Sequence, residues 1–512
     1  MKKIISILLV LCLCFSLVAC GGSGAGNGKV DAGGTDDFVA KEIEGNPTTL
    51  GVFYRNVIGA DIASDDEAVK EVDKKADEML KKIEELPDSV SVSGTTYYIA
   101  NDGDDKNDGL SADKPKNSYL SIKGQLKEGD AVLFNRGDIF RGQLTLVSGI
   151  TYGAYGEGIK PRFYGSVDGT EGEWLETSTE GVYTYNKTAM CSNVIFNNGE
   201  AIARPVYSMA DITKKKYNVY FNGSRISVYS PDGNPEEIFD SIEIVEDYTL
   251  FTGNGGVKNI KLQNLCLMYT GVHHLGSLGA AYGLEVEGCI MGYCGGRGLY
   301  SNRNTTTLGN CIEFWSVAKD INIHDSYFFQ AFDAALTHQG PTSVTPTGQT
   351  SSTDYTNIHY ENNLIEYCTY DIEAFSCSRI AEQSKSPNGT FTYNDVYIRG
   401  NICRYTGWGW GSMDRKDKNV YANIKYRAEG ENNTNIHVKP LYIENNIFDR
   451  SRKRVLAIST PEFNKANMIL KNNLFLETDR ANIFGGNTLK KDYMSEINKY
   501  FTAEGNTFKI VG

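Results

Sequence analysis

The sequence predicts an all-β solenoid, with parallel strands stacked coil on coil and a short helical segment ahead of them. Three observations carry this. First, eight segments repeat one pattern: an alternating strand, a small polar pair, then a second apolar strand. The pairs are Asn264-Leu265, Gly288-Cys289, Asp325-Ser326, Asn362-Asn363, Gly400-Asn401, Asn445-Asn446, Asn472-Asn473 and Gly505-Asn506. Second, their steps of 24, 37, 37, 38, 45, 27 and 33 residues fit a minimal coil carrying loop insertions of variable length. Third, these segments lack the 3.6-residue periodicity of helical repeats. Gly or Asn at a bend tolerates positive φ, and stacked coils bury one continuous core.

Composition agrees. Gly is 53 of 512 residues and Pro 12, with 40% hydrophobic and 22% charged residues, which excludes collagen, coiled coil and a disordered chain. Length alone would suggest about three domains; the repeat replaces them with one solenoid of roughly 410 residues, from residue 95 to 512. A net charge of −13 argues against nucleic-acid binding and mildly against a polyanionic ligand. Tyr is abundant at 31 residues, which suits a surface that meets sugars or proteins.

The elements follow in order. Residues 1–19 read as a secretory signal, with Lys2 and Lys3 ahead of an apolar run from Ile4 to Val18 that is short for a membrane span. Leu17-Val18-Ala19-Cys20 resembles a bacterial lipobox, a resemblance that implies lipid attachment at Cys20 and an extracytoplasmic, membrane-anchored protein. Residues 20–60 read as a Gly-rich tether and linker. Residues 61–88 read as a helix, with Ala68, Val72, Met79, Ile83 and Leu86 as its apolar stripe and Pro87 ending it. It either packs on or covers an end of the solenoid, or stands the protein off the membrane. Tyr97–Pro115 holds an Asp/Asn/Gly-rich loop that fails the calcium-loop pattern, with Lys106 where an oxygen ligand belongs; turn formation explains it. The eight cysteines beyond Cys20 lie mostly in apolar strands and read as buried thiols, with no zinc spacing among them.

The repeats and the opening YYIANDGDDKNDGLSADKP and GDAVLFNRGD resemble the right-handed parallel β-helix of pectin-lyase-like secreted proteins. That resemblance implies fold and a carbohydrate-active role, while the superfamily spans hydrolases, lyases, epimerases, esterases and binding proteins.

Reading equivalent positions down the stack, alternation points Ile312/Phe314, Ala334/Leu336 and Ile372/Ala374 inward. Glu313, Asp333, Asp371 and Glu373 then face outward as candidate catalytic carboxylates. Their mutual repulsion raises some pKa values, so that one acts as acid while another stays ionised. Neighbouring coils set carboxylates ~5 Å apart and alternate coils ~10 Å apart, which straddles the retaining and inverting ranges. Trp408 and Trp410 offer a sugar-stacking surface or merely cover a coil. Arg450, Arg452, Lys453 and Arg454 form a basic set, with Arg452 and Arg454 the candidates for an anionic glycan. His338 points inward to a structural hydrogen bond unless the next turn aims it and Gln339 at substrate. Of His273 and His274 one must face outward, and His274 is taken as the binding residue.

Three functions compete. The first is a glycoside hydrolase using Glu313, Asp333 and Glu373, with no metal or other cofactor. The second is a polysaccharide lyase or epimerase, in which resemblance implies a Lys, Arg or His base and Ca²⁺ or Arg as neutraliser; no Lys or Arg is found inside the acidic cluster, which ranks it second. The third is a non-catalytic glycan-binding surface lipoprotein. The expected partner is a polysaccharide or oligosaccharide, met by a monomer that touches the membrane only through its anchor.

Overall fold

A computed structural model describes residues 66–186, 191–253, 255–297, 308–341, 353–377, 391–411, 421–429, 436–459, 465–479, 483–484 and 493–511. The signal, Cys20 and the tether lie outside them. Three parallel sheets run the length of the molecule, with eleven, ten and eight strands among the described residues. Here they are sheets I, II and III. Each coil visits them in turn; one coil runs through Ala318–His324, Tyr327–Ala331 and Ala334–Pro341, and the next begins at Thr353. The stack is a right-handed parallel β-helix.

The repeat pairs set the bend between sheets I and II. The first residue of every pair has positive φ: Asn264, Gly288, Asp325, Asn362, Gly400, Asn445, Asn472 and Gly505. At Gly400 a side chain is excluded twice over, since φ is +65° and a Cβ would stand 2.5 Å from Asn362 Oδ1 on the preceding coil. The second residue faces inward. Asn363, Asn401, Asn446, Asn473 and Asn506 form a ladder in which each Nδ2 donates to the next Oδ1, at 3.1, 3.0, 3.0 and 2.9 Å. The same amides donate to carbonyls of the strand behind, such as Asn401 to Tyr360 at 2.8 Å. Backbone polar groups at a buried corner are thereby satisfied, as burial requires.

Inside, the register aligns like with like: Phe251, Leu275, Ile312, Leu336, Ile372, Ile424 and Leu456 are successive partners on sheet III. The seven cysteines whose side chains are described are all free and buried. At the C-terminal coils, Ile497 and Phe501 of the helix Tyr493–Tyr500 and its end join this core.

The N-terminal helix spans Glu67–Glu84, capped by Asp66, which accepts the Ala68 amide at 2.8 Å. Its buried stripe is Val69, Val72, Ala76, Leu80 and Ile83, so the apolar face is rotated from the one expected. It lies along sheet II, against Cys266, Ile290, Tyr327, Leu364, Ile402 and Leu474. Its 18 residues rise ~27 Å, close to the height of six coils. Asp73 reaches Arg404 and Arg450 at 2.5 and 2.8 Å. The helix is therefore a lateral strut. No helix of the described residues is long and apolar enough to cross a membrane.

The acidic loop after Tyr97 forms turns: Asp104, Asp105 and Asp108 accept the amides of Lys106, Ser118 and Leu110 at 2.9, 2.9 and 3.0 Å.

One feature departs from a continuous solenoid. Between the sheet II strand Arg162–Tyr164 and the sheet III strand Phe251–Thr252, the chain makes an excursion containing a four-stranded sheet and a mostly antiparallel five-stranded sheet. They share their own core of Trp174, Tyr185, Phe196, Val219, Val228 and Ile244. Short antiparallel hairpins alternate with the same period as parallel strands, so the sequence pattern does not separate them.

Candidate functional site

Sheet III supplies the site. Glu313, Thr337, Glu373 and Lys425 are register partners on four successive coils. Their neighbours Ile312, Leu336, Ile372 and Ile424 on one side, and Phe314, Ala374 and Tyr426 on the other, belong to the core. Alternation therefore turns the four outward. Asp333 stands half-buried just before the middle strand, its carbonyl accepting the Tyr370 amide at 2.9 Å. Glu313 and Glu373 are two coils apart, so their backbones are separated by roughly 10 Å.

The two glutamates sit in opposite electrostatic settings. Glu373 is an acceptor throughout: Lys425 donates to Oε1 at 2.5 Å, and Gln339 and Thr337 donate to Oε2 at 2.9 and 3.3 Å. Burial works against the charge on Lys425, but Glu373, Tyr370 and Asp333 outweigh it and hold the ammonium above its ordinary pKa. The ammonium also lies 4.0 Å above the Tyr370 ring. Among the described residues no lysine or arginine pairs with Glu313. Burial, then the charges of Asp333 and Glu373, push it up to about 8, against the opposing pull of a hydrogen bond from the Asn310 side chain.

His273 completes this end of the row. Its Nε2 lies 3.0 Å from Glu313 Oε2, with the two side chains 4% and 12% exposed. The Asn310 amide donates to Nδ1 at 3.1 Å. Burial, then the charge of Arg297, depress the His273 pKa to about 3. Arg297 is paired with Asp247 of the segment returning from the excursion, at 3.2 Å. That segment therefore adjoins the end of the row.

Other expected site residues fall elsewhere. Asp371 is fully buried: it accepts from Thr406 and Asn423 at 2.7 and 2.6 Å, because Tyr370 takes the outward place and strict alternation breaks there. His274, not His273, is the inward member of its pair and lies sealed in the protein, which corrects its assignment to binding. His338 also lies in the interior, its Nε2 hydrogen-bonded to the Tyr360 hydroxyl at 2.7 Å and its ring stacked on Phe314. Trp410 is buried against Phe332 with its indole N–H donating to the Gln330 carbonyl at 2.9 Å, so it covers a coil and offers no stacking face. Arg454 is 7% exposed and Arg450 belongs to the network under the N-terminal helix, so neither stands in an open basic patch. Arg452 does: it is exposed and its guanidinium lies 5.2 Å over the half-buried Trp408 and 5.4 Å over Tyr421. Gln339 reaches the site through Glu373.

Sequence reasoning passed over Lys425 and, of the pair His273 and His274, settled on the wrong member. Lys425 corrects the expectation that no Lys or Arg enters the acidic cluster. It follows Glu373 by 52 residues, a step that no repeat spacing announces.

Two trios of donor side chains lie close together among the described residues: His274, Cys294 and Cys311, and Glu285, Glu287 and His324. The first is enclosed in the interior. In the second, Lys261 pairs with Glu287 at 2.7 Å and His324 with Asp325 at 2.9 Å. Neither lies on the outward row of sheet III.

No known family model matches the chain, and no curated protein does. Solved structures do. A glycoside hydrolase shares 10% identity with a TM-score of 0.43, over 81% of this chain and 96% of that one. The complex of XylC with xylose shares 11% with a TM-score of 0.44, over 81% and 83%. A pectate lyase shares 10% with a TM-score of 0.33, over 82% and 78%. The three stacked parallel sheets make this chain a right-handed parallel β-helix.

Proposed function

We propose that the protein is a glycoside hydrolase acting on a polysaccharide or oligosaccharide, with Glu313 as general acid. The observation that carries the reading is the contrast along one row. Burial and the charges of Asp333 and Glu373 push Glu313 up to about 8, while Glu373 accepts a hydrogen bond from the Lys425 ammonium. Glycosidic cleavage needs such a pair, one carboxyl to protonate the leaving oxygen and one carboxylate to activate water or attack. The two-coil separation favours the inverting geometry for Glu313 with Glu373, while Asp333, nearer to Glu313, is the partner a retaining enzyme would use. Trp408 with Arg452 serves as a sugar contact at the rim. The chain acts at the cell surface, anchored through Cys20.

A lyase is the second reading, and Lys425 is the observation that favours it, as a cation beside an acidic cluster. A lysine base must be neutral, however, and Lys425 is held charged by Glu373. The test is product chemistry on a panel of glycans. New reducing ends without unsaturated-uronate absorbance support the hydrolase; absorbance supports the lyase. Binding with neither product, unaffected by Glu313→Gln or Asp333→Asn, leaves a glycan-binding protein and overturns both enzymatic readings.

A further inference from the structure

His273 faces Glu313 from the neighbouring coil, and its two nitrogens are not equivalent. The backbone N–H of Asn310 points at Nδ1, 3.1 Å away, and only a bare lone pair accepts it. A neutral imidazole bound in this way carries its proton on Nε2, the nitrogen 3.0 Å from Glu313 Oε2. The same Asn310 spends its side-chain oxygen on the Ala334 amide at 2.9 Å, on the coil that carries Asp333. One residue thus ties the histidine, the acid and the next coil together.

We propose that His273 is a positioning residue for Glu313: its Nε2–H donates to Oε2, so that the acid proton resides on Oε1. The inference rests on the reading of Glu313 as the acid. In the step, Oε1–H passes its proton to the glycosidic oxygen as that oxygen's bond to the anomeric carbon breaks. A water that gives its proton to the second carboxylate, or that carboxylate itself, forms the new bond to the anomeric carbon. Glu313 is left as a carboxylate, and the leaving sugar departs as a neutral alcohol. Negative charge therefore grows on Glu313 in the transition state, and a fixed N–H donor becomes a stronger, charge-assisted bond as it grows. The other charged and titratable groups facing this pair are Asp333 and Glu373 from the following coils, Tyr355 from sheet I and Arg297 beside His273. None of these is shown donating to Oε2.

The experiment compares His273→Leu, which removes the donor, with His273→Gln, whose amide can restore it. His273→Leu is expected to lower kcat by roughly 10- to 100-fold with little change in KM, and to move the alkaline limb of the pH profile upward. His273→Gln is expected to recover most of kcat. An unchanged kcat and limb in the leucine variant, or a glutamine variant damaged as severely as the leucine one, overturns the proposal. A second measurement needs no substrate and no variant to be active. Ring ¹⁵N spectra of the full chain, with the signal assigned by its loss in His273→Gln, should show a neutral His273 with its proton on Nε2 from about pH 5 to about pH 8. A proton on Nδ1, or an imidazolium at neutral pH, overturns the proposal at once. If the tautomer is as stated but Glu313→Gln retains full cleavage, the acid reading has failed and the pair is a structural bond only.

Discussion

The protein holds two clusters of acids, and they are treated differently. Under the N-terminal helix, Asp73, Glu366 and Asp449 surround Arg404 and Arg450, with contacts of 2.5 to 3.4 Å. Tyr327 donates to Glu366 at 2.9 Å and Tyr405 to Asp73 at 3.3 Å. On sheet III, Glu313, Asp333 and Glu373 gather near Lys425, which bonds Glu373. Two guanidiniums against three carboxylates make a closed brace. On the row, burial and the charges of Asp333 and Glu373 favour the protonated form of Glu313. On the proposed reading, this scarcer positive charge among the described residues is what distinguishes the reactive row from the brace.

The comparison can be broken in several ways. The largest effect is expected for Glu313→Gln, which should cut glycan hydrolysis by about 10²- to 10⁴-fold, measured as reducing ends released. Arg404→Met should leave the activity of the folded fraction intact but cost about 3–5 kcal/mol in denaturant unfolding, since it takes the guanidinium from buried Glu366 and leaves Asp449 to Arg450 alone. Equal losses of activity in both variants would erase the distinction. In the Asn ladder, Asn446→Leu removes bonds to Ile398, Asn401 and Asn473 and should cost about 2–4 kcal/mol, again without changing catalysis. At the rim, Trp408→Ala should weaken glycan binding by about 1 kcal/mol and leave stability nearly untouched.

Stability against pH gives a fifth test. The native Glu313 holds its proton up to about 8, whereas an unfolded glutamate releases it near pH ~4.3. Between those values the native state binds more protons than the unfolded state, so this residue makes stability fall as pH rises through the window. Glu313→Gln should remove that slope, leaving the variant a few degrees more heat-resistant near pH 8 than the parent. A parallel pair of melting curves across the window would refute the assignment.

Much of the fold was legible because its rule is local. A residue with positive φ recurs at all eight pairs, and in the last five it is followed by an asparagine whose amide fits the corner, visible as GN and NN pairs. The site was legible only in part. Glu313 and Glu373 lie on strands that keep strict alternation. Asp371 does not, since Tyr370 displaces it inward where the chain enters the sheet. His273 and His274 differ by one residue, and a phase error of one exchanges core for surface. Lys425 was hidden by distance along the chain, for which strand periodicity has no measure. The excursion before Phe251 was hidden for a different reason, because hairpins and coils share one alternation.

The asparagine ladder has a consequence for how such a protein changes over time. Steps along the chain between the five ladder asparagines range from 27 to 45 residues, yet every rung closes with Nδ2–Oδ1 bonds of 2.9 to 3.1 Å. Pitch is thus uncoupled from sequence length. Insertions and deletions between rungs alter what is displayed beside the carboxylates without re-indexing the strands that hold them, so specificity can be rewritten loop by loop while the frame keeps its count.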